Sequence, residues 1–237
     1  MAISRLAPAA FGGHAHRLHP LSVIWLLCLV VGLFLMGNFA YGMFNGFSEQ
    51  QRLNRQWQAE MQTHPPGPQE IISTIPQPPA APRIDPTLKQ PKDGIDFAIR
   101  VPKLNYFAAV KEGIDTGVLY SGPGHYPSTV WPGDQGMVAV AAHNVYWIDF
   151  PQLANGDEVD IETRYGLFRY RVTGSQVVNP DNRTIIMPGA DGYHLTLTTC
   201  WPIWAGAFAK QRYVIFTEQV WPVPRHDRVN AGLAGQP

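Results

Sequence analysis

The stretch IDFAIRV, residues 95–101, alternates apolar and other side chains with a period of two, the pattern of a strand with one face in a core. Five further runs follow: GMVAVAA (136–142), DEVDIET (157–163), LFRYRVT (167–173), YHLTLTT (193–199) and RYVIFTE (212–218). They are short, rich in β-branched and aromatic residues, and separated by Gly, Pro, Asn and Asp, which is how strands and their turns read in sequence. Their spacing is irregular and no internal repeat is present, so a propeller or solenoid does not fit. The region from Ile95 onward is therefore expected to be all-β, most economically a closed or partly closed barrel that leaves few unpaired edges. Short helical turns are expected near 115–120 and 146–153.

Upstream of the barrel the composition is different. Residues 18–48 contain no Asp, Glu, Lys or Arg, and residues 21–44 (LSVIWLLCLVVGLFLMGNFAYGMF) are long and apolar enough to span a bilayer as a helix. The run exceeds a usual signal-peptide core, and no small-residue cleavage site of the A-x-A type follows it, which favours an uncleaved anchor. Arg5 and Arg17 precede the span while Arg52 and Arg55 follow it, so basic residues alone do not orient it. Residues 49–62 (EQQRLNRQWQAEMQ) are polar and helix-permissive and read as a continuation of that helix into water. Nine prolines then fall within 64–91, a composition that favours extended, semi-rigid geometry and reads as a spacer. The expected organisation is an N-terminal segment (1–20), a transmembrane helix (21–44), a stalk and Pro-rich spacer (45–94), the barrel (95–220) and a C-terminal tail (221–237). A chain cut to begin near Pro91 is accordingly expected to be soluble and folded.

At 237 residues, nearly half of them apolar, there is material for one sizeable core. Lys plus Arg and Asp plus Glu balance at 18 each, which excludes the basic footprint of a nucleic-acid partner. The chain has two cysteines, Cys28 inside the apolar span and Cys200 far along the barrel region, so an intrachain disulfide is not expected. In an exported domain a lone thiol signals intermolecular pairing or reactivity rather than a structural framework.

Cysteine chemistry needs a proton partner and a donor for developing negative charge, placed where side chains leave the core. Three strand-end residues meet that need: His143 closes GMVAVAAH, Cys200 closes YHLTLTTC, and Arg212 opens RYVIFTE. In an antiparallel hairpin, Cys200 and Arg212 share one rim. His143 must reach it through tertiary structure. His125 reads first as a turn residue in GPGHY and otherwise as part of a substrate groove, and His194 reads as structural. His125, His143, His194 and Cys200 are possible zinc ligand types, yet no close Cys/His pair of familiar spacing is present, so no metal or other cofactor is expected.

The segment TLTTC, with Arg212 twelve residues beyond Cys200 in QRYVIF, resembles the sortase signature of a Thr-rich strand ending in the nucleophile and followed by an Arg-bearing strand. LYSGPGHYPSTVWPGDQG (119–136), VAVAAHN (138–144) and FPQLANGDEVDIETRYGLFRYRV (150–172) resemble further sortase blocks in the same order, so the likeness covers about 95–218. Two positions depart from it: Ala142 stands where Gly usually precedes the His, and Asn144 where a hydroxyl or basic residue usually follows. The form TLTTC-Trp-Pro is most similar to the class D and class E branches.

The resemblance implies a closed β-barrel of about eight strands with short helices, preceded by an N-terminal transmembrane helix, with the N-terminus inside and the barrel outside a Gram-positive-type cell. It implies Cys200 as nucleophile, His143 as general acid and base, Arg212 as oxyanion and substrate donor, and His125, Thr199 and Trp201 as substrate contacts. The implied partners are surface or pilin proteins bearing a C-terminal LPxTG- or LAxTG-like sorting signal, with an amine of a cell-wall precursor or of another protein as acceptor. A catalytically inactive tethered binding module, or a thiol peptidase resolved by water, uses the same fold and residues.

Overall fold

A computed structural model of the chain describes residues 20–66, 85–186 and 190–222. Most of the N-terminal segment, the greater part of the proline-rich tract and nearly all of the C-terminal tail lie outside the described residues. The chain divides into two compact units, 1–44 and 45–237. Of the first, the described part is the beginning of helix α1 (Pro20–Thr63), which is exposed and is long and apolar enough to cross a membrane.

The second unit is built on eight strands: β1 (Ile95–Val101), β2 (Tyr106–Glu112), β3 (Gly124–His125), β4 (Gly136–Ala142), β5 (Glu158–Thr163), β6 (Gly166–Val178), β7 (Tyr193–Trp201) and β8 (Gln211–Trp221). They close into a barrel in the order β1-β2-β3-β4-β7-β8-β6-β5, with β5 returning to β1. Neighbours are antiparallel except β2 with β3 and β4 with β7, which are parallel. The six runs read from sequence are β1 and β4 to β8. β2 was not among them because YFAAVKE buries Ala108, Ala109 and Val110 in succession instead of alternating, and β3 is only two residues long. Phe97, Ile99, Ile161, Phe168, Tyr170, Leu195, Leu197 and Ile215 lie in the core cluster. Helix α2 (Thr116–Leu119) starts on Asp115, whose carboxylate accepts from the amides of Gly117 and Val118.

From residue 45 onward, α1 belongs to the barrel unit rather than projecting into water as a stalk. Leu53 and Trp57 are 2% and 0% exposed and sit in the same core cluster as the strands. Gln50, Leu53, Asn54, Trp57, Glu60 and Met61 recur at spacings of three and four, so one narrow helix face carries all of them. Its polar members solve an edge problem. β3 pairs with β2 only at Lys111 and Glu112, leaving the preceding residues of β2 without a strand on that side. Asn54 Oδ1 accepts from the Ala109 amide at 2.8 Å, Asn54 Nδ2 donates to the Phe107 carbonyl at 3.3 Å, and Gln50 Nε2 donates to the Ala109 carbonyl at 3.1 Å. Side-chain amides thus stand where another strand's backbone would.

The end of this helix is also tied to the segment just ahead of β1. Glu60 accepts from Arg164 Nε at 3.0 Å and from Lys92 Nζ at 2.7 Å, and Arg164 further donates to the carbonyls of Ile95 and Asp96 while its guanidinium lies 5.0 Å from the Trp57 ring centre. Residues 60 and 92, on either side of the proline-rich tract, therefore meet directly.

Candidate active site

Strand register brings the three candidate residues to one rim. β4 and β7 run parallel with Ala142 opposite Thr199, so His143 leaves its strand at the level of Cys200. β7 and β8 run antiparallel with Cys200 opposite Arg212. All three are partly exposed, and the Cys200 thiol is free. Partial burial pulls the His143 imidazole below its usual range, and the Arg212 charge adds to the effect, so the ring is chiefly neutral at pH 7. Arg212 donates Nη1 to the Gln211 carbonyl at 3.0 Å and, among the described residues, is paired with no carboxylate. Its remaining donors are available to an incoming acceptor.

The His143 end of the rim is anchored deeply. The His143 carbonyl accepts from the amides of Tyr146 at 2.9 Å and Trp147 at 3.3 Å. Trp147 is 1% exposed, stacks on Phe150 with ring centres 4.4 Å apart, and donates its indole N–H to the Tyr106 hydroxyl at 3.1 Å. Thr199 donates its hydroxyl to the Ala142 carbonyl at 2.8 Å, and Asn144 Nδ2 donates to the Ile203 carbonyl at 2.5 Å.

The residues expected to contact substrate are placed differently from one another. Trp201 is partly exposed beside Cys200, its ring 5.2 Å from that of Tyr213. Thr199 is 3% exposed and its hydroxyl is already committed to Ala142, so its side chain is a strut of the rim rather than a substrate donor. His125 does not line a groove. It is 2% exposed, with Nδ1 2.8 Å from the equally buried Asp96 carboxylate and Nε2 3.1 Å from the Thr129 hydroxyl, packed against the rings of Phe97 and Trp131. Asp96, polar in the alternation of IDFAIRV, is buried because this histidine meets it. His194 engages the Asp191 carbonyl at 2.6 Å. Among the described residues no three His, Cys, Asp or Glu side chains converge as a metal site.

Sequence reading missed Tyr126, next to His125. Burial raises its phenol above the usual range, with the Arg212 charge opposing the shift and Cys200 adding to it. The loop Ile203–Phe208, between Cys200 and Arg212, presents Trp204 and Phe208 at 87% and 88% exposure.

Residues 99–220, just over half of the chain, match the family model described as the sortase domain. The chain belongs to the sortase family. It is 29% identical over 123 residues to sortase D of Bacillus subtilis (strain 168), an alignment that takes in 52% of this chain and 62% of that relative's length. Among solved structures it is similar to a sortase D5 transpeptidase of Clostridium perfringens, with TM-score 0.57 and 21% identity over 73% of this chain and 99% of the other. It is also similar to sortase A of Corynebacterium diphtheriae, with TM-score 0.51 and 22% identity over 59% of this chain and 69% of the other. At these identities the two structures speak for the fold: a closed eight-stranded sortase barrel carrying a long apolar helix ahead of it.

Proposed function

We propose that this sortase is a membrane-anchored cysteine transpeptidase that cuts an LPxTG- or LAxTG-like sorting signal between Thr and Gly and passes the acyl group to an amine. The observation that supports it most is the register that puts His143, Cys200 and Arg212 at one strand-end rim. The Cys200 sulfur, as thiolate, attacks the threonine carbonyl, and Arg212 donates to the oxygen on which negative charge gathers. Collapse of the tetrahedral adduct breaks the C–N bond, His143 in its protonated form gives a proton to the departing glycine amine, and a thioester remains. An incoming amine then loses a proton to His143 as it displaces the sulfur. Because burial and Arg212 keep His143 mostly neutral, the ring is suited to the base half of this cycle, and the acid half draws on its minor protonated form. The substrates are surface or pilin proteins with a C-terminal sorting signal, and the acceptor is an amine of a cell-wall precursor or of another protein. The apolar part of α1 acts as a single-pass anchor, with the barrel outside the cell.

With an LPxTG or LAxTG peptide, the protein should gain the mass of the peptide up to its threonine, on Cys200, and hydroxylamine should release it. Triglycine should convert the adduct into ligated peptide. Cys200→Ala should give no adduct, and His143→Ala should slow its formation. Cleavage that triglycine never diverts would make the protein a thiol peptidase; neither adduct nor cleavage across a panel of such peptides would leave a tethered binding module.

A further inference from the structure

Asn144 is the residue by which this chain departs from the sortase pattern after the histidine, and the structure gives its amide a definite task. β4 ends at Ala142, so the ladder that fixes β4 to β7 stops one residue before His143. Two side-chain hydrogen bonds reinforce and extend it. Thr199 Oγ1 reaches the Ala142 carbonyl at 2.8 Å on one side, and Asn144 Nδ2 reaches the Ile203 carbonyl at 2.5 Å on the other. His143 lies between Ala142 and Asn144; Cys200 lies between Thr199 and Ile203. The two bonds therefore flank the candidate acid–base and nucleophile along both segments, one at the last pair of the ladder and one beyond it.

The bond from Asn144 matters because the two segments it joins differ in how firmly they are held. On the His143 side, the turn is tied to the core through Trp147, whose ring is buried and hydrogen-bonded. On the Cys200 side, the loop Ile203–Phe208 turns its two large rings outward and gains little packing from them. Its backbone bonds in the described structure are local, from Ala205 to the Pro202 carbonyl and from Ala209 to the Gly206 carbonyl. Asn144 itself is 8% exposed, so its amide is not free to exchange this partner for bulk water.

We propose that Asn144 is a positioning residue that clamps the loop after Cys200 to the core-anchored turn after His143 and so fixes the sulfur against the imidazole. This rests on the transpeptidase reading for its catalytic consequence, and on the hydrogen bond alone for its mechanical one. The Asn144 amide donates to a backbone carbonyl and not to the side chain of His143, Cys200 or Arg212. Its effect runs through the His143–Cys200 geometry, where a displacement on the order of 1 Å can lower a rate by about a hundredfold.

The test uses the full chain in detergent micelles, with Asn144→Ala, Asn144→Gln, His143→Ala and the Asn144→Ala/His143→Ala double variant. Hydrogen exchange without peptide should show amides of 203–210 exchanging faster in Asn144→Ala while strand amides are unchanged. With an LPxTG or LAxTG peptide, single-turnover thioester formation should fall by about tenfold or more, with KM within about twofold. Asn144→Gln, which keeps the donor on a longer stem, should recover part of the rate. In the His143→Ala background the Asn144→Ala effect should largely vanish, because a residue acting through His143 has nothing left to position. Unchanged loop exchange, an unchanged thioester rate, or an equal loss in the His143→Ala background would each overturn the proposal; a general rise in barrel exchange would do the same by making Asn144 merely structural. If the unaltered protein forms no thioester, the transpeptidase reading fails first, and exchange in 203–210 then decides whether the clamp survives without it.

Discussion

His143 carries the most informative charge balance of any single residue at the rim. Burial lowers its pKa first and the Arg212 guanidinium lowers it further, since a cation nearby disfavours a second positive charge. Arg212→Gln removes that cation, so the His143 midpoint should move up, as read from the pH titration of its imidazole resonances by NMR. Arg212→Lys keeps a charge and should hold the midpoint closer to that of the unaltered protein. It should nonetheless lose turnover by about a hundredfold, because an ammonium lacks the planar fork that engages two acceptors. A midpoint that ignores Arg212→Gln would show that the two side chains are not electrostatically coupled. The shared rim position of His143, Cys200 and Arg212 was legible because a strand-end position is itself a statement about where a side chain goes. His125 misled because its role is set by Asp96, 29 residues away in sequence, and a turn-like local context gives no sign of a buried carboxylate partner.

At the scale of elements, the alternating strands announced themselves and the pieces that complete the barrel did not. β2 has a continuous buried centre and β3 is too short for any period, so neither carries the two-residue rhythm. The barrel-facing part of α1 was hidden for a different reason: of its stripe, Leu53 and Trp57 are deeply apolar while Gln50 and Asn54 are polar because their partner is a strand edge. That division predicts two distinct defects. Trp57→Ala removes a wholly buried ring from the core cluster and should lower barrel stability by about 3–5 kcal/mol in denaturant titration. Asn54→Ala should cost about 1–3 kcal/mol, because it strands the Ala109 amide without an acceptor. Hydrogen exchange separates them, since Asn54→Ala should expose the Ala109 amide selectively whereas Trp57→Ala should raise exchange across the barrel. Retained protection at Ala109 in Asn54→Ala would remove the edge-sealing role.

For the molecule as a whole, these contacts move the boundary of the folded domain from the start of the strands to residue 45. A chain cut to begin at Pro91 retains all eight strands, yet it loses Leu53 and Trp57 from the core, the amides that cap β2, and the Glu60 carboxylate that Arg164 and Lys92 share. Edge strands left in that state are templates for intermolecular pairing. A chain beginning at Asn45 keeps the compact unit intact and should be soluble, monomeric and cooperatively folded. The chain beginning at Pro91 should melt lower by about 10 °C or more, given several kcal/mol of lost burial in a domain of this size, and should aggregate on concentration. The tract between the two cut points tests the same view from the other side. Because Lys92 and Glu60 already meet at 2.7 Å, replacing 67–84 with a shorter Gly-Ser link should leave the melting temperature of the Asn45 chain nearly unchanged. Equal stability of the Pro91 and Asn45 chains in differential scanning calorimetry would return residues 45–63 to the role of a stalk, and a large loss on shortening 67–84 would give that tract a structural role of its own.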